Sequence, residues 1–195
     1  MNLIERAKNI ILKPKEEWTV IEQEQTSVSE LVTSYLVLLA LIPAAAAFLR
    51  FGVFGFGHMF GPSIEWGLKQ AVVSFVATVG GAYLSAWVID ALAVNFGSTK
   101  DFRKAMQLVV YSYTPMMLAG IFQLIPALSI LGIVGLYGLY LLYLGIAPLM
   151  KTPEDKVTTY FVVSLLVIIV IYVVIAAILT SVLIGGGYTN PMMMR

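Results

Sequence analysis

The 46 residues from Ala105 to Met150, lying between Lys104 and Lys151, contain no Asp, Glu, Lys, Arg or His. As one helix rising about 1.5 Å per residue, this stretch would be roughly 69 Å long, more than twice the roughly 30 Å hydrocarbon core of a bilayer. It has to cross twice. The turning point is Gln123-Leu124-Ile125-Pro126, because proline removes a backbone donor and disfavours helix in the residue before it. Composition agrees: the 195 residues are 59 % hydrophobic and 12 % charged, with mean hydropathy +0.90, whereas soluble domains carry about 25 % charged residues. The chain is therefore expected to be an all-α polytopic membrane protein.

Around that hairpin the sequence divides into an amphipathic N-terminal segment (1–26), a five-span membrane domain (27–187) and a short tail (188–195). The spans are expected at about 31–49, 71–96, 104–122, 127–150 and 160–184. Ser27-Val28-Ser29-Glu30 has the form of a capping box ahead of the first span. Pro43 is expected to kink that span, and Ala44 to Ala47 offer a smooth packing face. The next connection is rich in Gly and Phe and holds the single histidine, His58. Trp66 reads as a headgroup-level residue where the second span begins. Thr152-Pro153-Glu154-Asp155 reads as a helix start with Thr152 as the cap, and Gly185-Gly186-Gly187 as a stop.

In the N-terminal segment Leu3, Ile4, Ala7, Ile10 and Ile11 recur at helical spacing up to Lys13-Pro14. A second short helix follows, with Trp18 and Ile21 on one side and Glu16, Glu17, Glu22 and Glu24 expected on the other. Ile4, Ile10, Ile11, Pro14 and Trp18 then form either an interfacial anchor on the bilayer surface or a cap packed on the bundle. No signal peptide is expected, since charges interrupt the N-terminus before any long apolar core.

Asp90 is the one acid well inside an apolar run, about 8 Å from the expected end of its span at 1.5 Å per residue. Gln107, Tyr111 and Thr114 recur at i, i+4, i+7 and place a polar stripe on the third span, with Pro115 following. Together with Asp90 they are the candidate polar path for a proton or cation; the alternative is an ion pair of Asp90 with Lys100, Arg103 or Lys104. In the fourth span Gly132, Gly135, Gly138 and Gly145 fall on one side, expected to face a neighbouring span, and Tyr137, Tyr140 and Tyr143 on the other. The tyrosines then face a groove, another helix, or lipid.

Nine of the twelve lysines and arginines fall on the N-terminal side of the membrane. By the positive-inside rule the N-terminus is cytoplasmic and the C-terminus external, in the plasma (inner) membrane of a prokaryote. With a net charge of +1 and no large basic patch, nucleic acid is not an expected partner. The absence of cysteine excludes disulfides and thiolate chemistry. One histidine and no hydrolase motif leave no basis for an enzyme or a cofactor.

Pro14 with Trp18 and Ile21, Tyr111-Ser-Tyr-Thr-Pro115, Pro126 and Tyr137-Gly-Leu-Tyr-Leu-Leu-Tyr-Leu-Gly145 resemble the bacterial branch of the Yip (Ypt/Rab-interacting protein) family over essentially the whole chain. The resemblance implies five spans behind a cytosolic N-terminal region. Eukaryotic members act as scaffolds in vesicle traffic, binding small GTPases or bending membranes. This sequence lacks their long N-terminal region with its Gly-Pro motif, so architecture carries over and small-GTPase binding does not. The expected function is a membrane-organising or protein-interaction scaffold, its partners the bilayer, an unidentified membrane or cytoplasmic protein, or a second copy. The alternative is a small-solute or ion transporter.

Overall fold

A computed structural model describes residues 2–55 and 61–185, and only the backbone of Pro126 and of residues 176–185. His58 and the 188–195 tail lie outside the described residues. The chain begins with two short helices, α1 (Leu3–Leu12) and α2 (Pro14–Gln23). Five longer helices follow: α3 (Val28–Val53), α4 (Ile64–Phe96), α5 (Phe102–Leu124), α6 (Ala127–Met150) and α7 (Glu154–Gly185). Each of the five is long and apolar enough to cross a membrane.

Local chemistry sets the helix ends. The Asn2 side chain accepts from the amides of Ile4 and Glu5, and Pro14 occupies the first turn of α2 after the corner residue Lys13, where its missing N–H has no helical partner to lose. Ser27 accepts from the Glu30 amide at 3.2 Å. Between α4 and α5, Gly97 takes a left-handed conformation with φ 68°. Asp101 is itself the cap of α5, accepting from the amides of Arg103 and Lys104. Thr152 does not cap α7 through its side chain. Its hydroxyl shares a hydrogen bond with Ser98 at 2.8 Å and donates to the Ile146 carbonyl at 3.3 Å, tying two loops together. α4 begins at Ile64, ahead of the expected start near 71, with Trp66 in its first turn.

The α5–α6 hairpin turns at Ile125, the single extended residue between Leu124 and Pro126. α5 is the axis of the bundle, and every residue from Lys104 to Ser112 is buried. Tyr35 on α3 shares a hydrogen bond with Thr114 at 2.8 Å, and Ser85 on α4 with Tyr113 at 2.8 Å. α6 packs through its glycine side. A Cβ on Gly138 would collide with the Ser112 carbonyl, one on Gly145 would sit 2.8 Å from the Trp18 ring, and one on Gly135 would lie 3.2 Å from the Met116 backbone. Gly132 has nothing near it, so the expected four-glycine face is used over three. α7 packs against α4 and α6, with Tyr160 donating to the Ile89 carbonyl and Tyr143 sharing a hydrogen bond with Thr158.

Candidate functional site: a helical cap locked to the bundle

The N-terminal helices do not lie with their apolar face on lipid. Ile10 and Trp18 are fully buried in the core, and Ile11 packs against it. Pro14 is half-buried at the corner. Of the five expected anchor residues only Ile4 is well exposed. Trp18 fills the notch at Gly145, beside Leu108 and 6.4 Å from the Tyr111 ring. The α1–α2 pair is thus a cap seated on α5 and α6. Removing Ile10 and Ile21 from water contributes roughly 1.5–3 kcal/mol each. Against hydrocarbon the same burial would yield no hydrophobic gain, because lipid tails are as apolar as the core.

The seat is closed by charge. Arg6, buried within the cap, forms ion pairs with Glu17 and Glu24 and places its guanidinium 5.4 Å from the centre of the Tyr111 ring. Glu17 and, just past the end of α2, Glu24 therefore belong to the inward face, contrary to the expectation that Glu16, Glu17, Glu22 and Glu24 all point away. Helical geometry allows it: at 100° per residue Glu17 lies 40° from Ile21, and a continuation to Glu24 returns to within 60° of Ile21. Lys104 then reaches across from α5, its ammonium donating to the carbonyls of Ile21, Glu22 and Glu24 at 3.0, 2.6 and 2.9 Å. The Ile21 carbonyl also accepts the Glu24 amide, while those of Glu22 and Glu24 are of the kind a helix C-terminus leaves without an intrahelical partner, and a cation there is favoured by the helix dipole. Arg103 donates to Gln25 and lies 3.6 Å from Asp101. A cleft of about 560 Å³ opens between the two short helices and the start of α3, lined by Glu5, Arg6, Glu17, Glu24 and Glu30 among others.

The polar stripe of α5 is drawn into the same junction. Gln107, Tyr111 and Thr114 are fully buried. Tyr111 packs edge-on against Tyr35 with ring centres 5.0 Å apart, and Tyr35 holds Thr114. The Gln107 amide forms no hydrogen bond among the described residues. Asp90 is elsewhere. α4 meets α5 through Tyr113, which lies 200° around the helix from Tyr111. Asp90 is buried next to Ile89, whose carbonyl takes the Tyr160 hydroxyl, and one of its own oxygens has no partner. The ion pair with Lys100, Arg103 or Lys104 is not formed among the described residues, since Lys104 is committed to α2 and Arg103 to Asp101 and Gln25. No hydrogen bond among them joins Asp90 to the stripe either. Of the α6 tyrosines, Tyr137 donates to the Ile11 carbonyl at 3.0 Å, Tyr140 stacks obliquely on Tyr137, and Tyr143 meets Phe161. Pro115 lies in the first turn of the second segment of α5, Thr114–Ala119, just after the break at Tyr113.

Sequence reasoning passed over Arg6 and Tyr35, offered Lys104 to Asp90 instead of to α2, and placed the two inward glutamates on the outer side. The available signal was an arginine four residues before Ile10, on the apolar face of α1.

These features define a class: a polytopic helical membrane protein whose N-terminal helices are fixed to the bundle by buried polar contacts. The sequence profile of the Yip1 domain matches residues 8–187, and the chain belongs to that family. It is 29 % identical over 119 residues to the inner membrane protein YohC from each of two Escherichia coli strains, an alignment covering 58 % of this chain. The chain spans 60 % of the length of these curated relatives. No solved structure matches.

Proposed function

We propose that this protein is a membrane-organising or protein-interaction scaffold that carries no catalytic activity. The observation behind this reading is the use of polar side chains at the cap end: Arg6 pairs with Glu17 and Glu24 inside the cap, and Lys104 of α5 donates to the carbonyls of Ile21, Glu22 and Glu24, holding α1–α2 to the bundle. A fixed cap gives a partner a constant surface. The relatives are inner membrane proteins by name, and the lysine and arginine distribution favours a prokaryotic inner membrane with the cap in the cytoplasm and the C-terminus outside. The partner is a membrane or cytoplasmic protein, or a second copy of this chain. The test is extraction in native lipid discs followed by mass spectrometry of everything retained in stoichiometric amount. The scaffold reading predicts a recurring protein component that Arg6→Ala releases; a chain that retains only lipid or small solutes contradicts it.

A second reading, small-solute or ion transport, draws on the unpartnered oxygen of the buried Asp90. It predicts ion flux into vesicles holding the purified protein, and flux unchanged in Asp90→Asn would end it.

A further inference from the structure

The outward surface changes character at one level on each outer span. On α3 the exposed residues run Ser29, Glu30, Thr33 and Ser34, then Leu38 and Leu41. On α7, exposed Thr158 and Thr159 give way to Val162 and Leu166. The exposed apolar run of α6 reaches Tyr140 and ends at Tyr143. On α4, Trp66 and Trp87 are 50 % and 57 % exposed and 21 residues apart, or about 31 Å along the helix. That is the thickness of the hydrocarbon core, and tryptophan favours its two borders. Measured from the cap-end termini, the border residues of this apolar belt, Leu38, Val162, Trp87 and Tyr143, lie about 10–15 Å in at 1.5 Å per residue, and on α4 only Ala91 and Val94 are exposed apolar residues beyond Trp87. The cap end of the bundle thus stands clear of the hydrocarbon.

The cap's corner reaches past the rim into this belt, since Tyr137 lies about 20 Å from Met150 along α6 at 1.5 Å per residue. Tyr137 holds the Ile11 carbonyl, and its ring lies 5.5 Å from that of the half-exposed Tyr140 at the rim. Next along the chain, Leu12 is 66 % exposed, and Lys13, Lys15 and, one turn back, Lys8 are exposed as well. The carboxylate nearest Lys13 is that of Glu16, 3.7 Å away and itself exposed, a pair of little strength in water. We propose that the Leu12–Lys15 corner with Lys8 is a foot for anionic phospholipid headgroups of the leaflet at the cap end. Leu12 enters the acyl boundary, and the three ammonium groups meet phosphates. The inference concerns where the bilayer meets the cap and holds whatever task the bundle performs.

The full-length protein in phosphatidylcholine discs containing phosphatidylglycerol, analysed by native mass spectrometry, gives the test as the enrichment of phosphatidylglycerol among retained lipids. Wild type should enrich it. Combining K8Q, K13Q and K15Q should reduce enrichment by about five-fold for each lysine that reaches the surface. The triple lysine-to-arginine variant should retain it, as should a variant combining K100Q and K156Q, whose charges lie beyond the rim. Unchanged enrichment in the glutamine variant would overturn the proposal. So would equal loss in the arginine variant, which would trace the effect to corner geometry, or equal loss in the K100Q/K156Q control, which would trace it to overall charge.

Discussion

α5 and α6 form one hairpin whose two ends obey different rules. Toward the cap, Lys104 to Ser112 are buried without exception, and α6 from Gly145 to Met150 has no exposed residue. Toward the turn, Ile121, Ile125, Ile130, Ile133, Val134 and Leu136 face outward. The cap half of α5 is the more polar, with Lys104, Gln107, Tyr111 and Ser112, whereas α6 from Ile130 to Leu136 at the turn is apolar throughout, and by the belt described above the solvent differs too. In hydrocarbon an outward isoleucine costs nothing and helices associate by close packing alone. Where the bundle emerges, apolar surface must be covered, and α1–α2 covers it. Charge is used at both ends but differently: the ion pairs of Arg6 and the Lys104 cap are buried at the cap end, whereas at the turn end Arg50 donates to the Gln123 carbonyl at 3.2 Å and Lys69 and Glu65 pair in exposed positions.

Substitutions at the two ends should separate accordingly. The largest effect is expected for Arg6→Ala, which leaves Glu17 and Glu24 without their guanidinium partner at a cost of about 3–5 kcal/mol for a buried pair and less for the part-exposed Glu24. Hydrogen exchange over Leu3–Gln23 should rise to that of an undocked segment while α5 stays protected. Lys104→Met removes three charged hydrogen bonds from the end of α2 and should loosen the cap by about 2 kcal/mol, read from the same exchange. Gly145→Val should displace Trp18, with an overpacking cost of about 1–3 kcal/mol, visible as a shift in tryptophan emission. At the turn, Ile130→Ala should change the denaturation midpoint in mild detergent by less than about 0.5 kcal/mol. A turn-end substitution as costly as Arg6→Ala would erase the distinction between the two ends.

Much of the fold was legible because length and apolarity report the bilayer directly: the uncharged Ala105–Met150 run can only be a hairpin, and Pro126 marks its turn. The faces of the helices were legible from spacing, as with Gln107, Tyr111 and Thr114. Which element each face meets was not, because a period of 3.6 assigns an angle and carries no information about the neighbour. Asp90 was grouped with that stripe on polarity alone, yet no hydrogen bond among the described residues joins them. Glu17 and Glu24 were assigned to solvent because glutamate usually is; an arginine eleven and eighteen residues away reverses that, and pairing over such distances leaves no periodic trace. Thr152 misled in the same way, a good cap by type that instead binds Ser98, 54 residues back.

The account rests on the cap end standing outside the hydrocarbon. The chain has no cysteine, so single cysteines carrying a nitroxide can be placed along the outward face of α3 without background. Collision with oxygen, which concentrates in lipid, is compared with collision with a water-soluble nickel chelate. Labels at Thr33 and Ser34 should favour the chelate and labels at Leu38, Leu41 and Ala45 should favour oxygen, with the crossover between Ser34 and Leu38. Oxygen preference at Thr33 and Ser34 equal to that at Leu41 would place the cap end inside the bilayer and contradict the account.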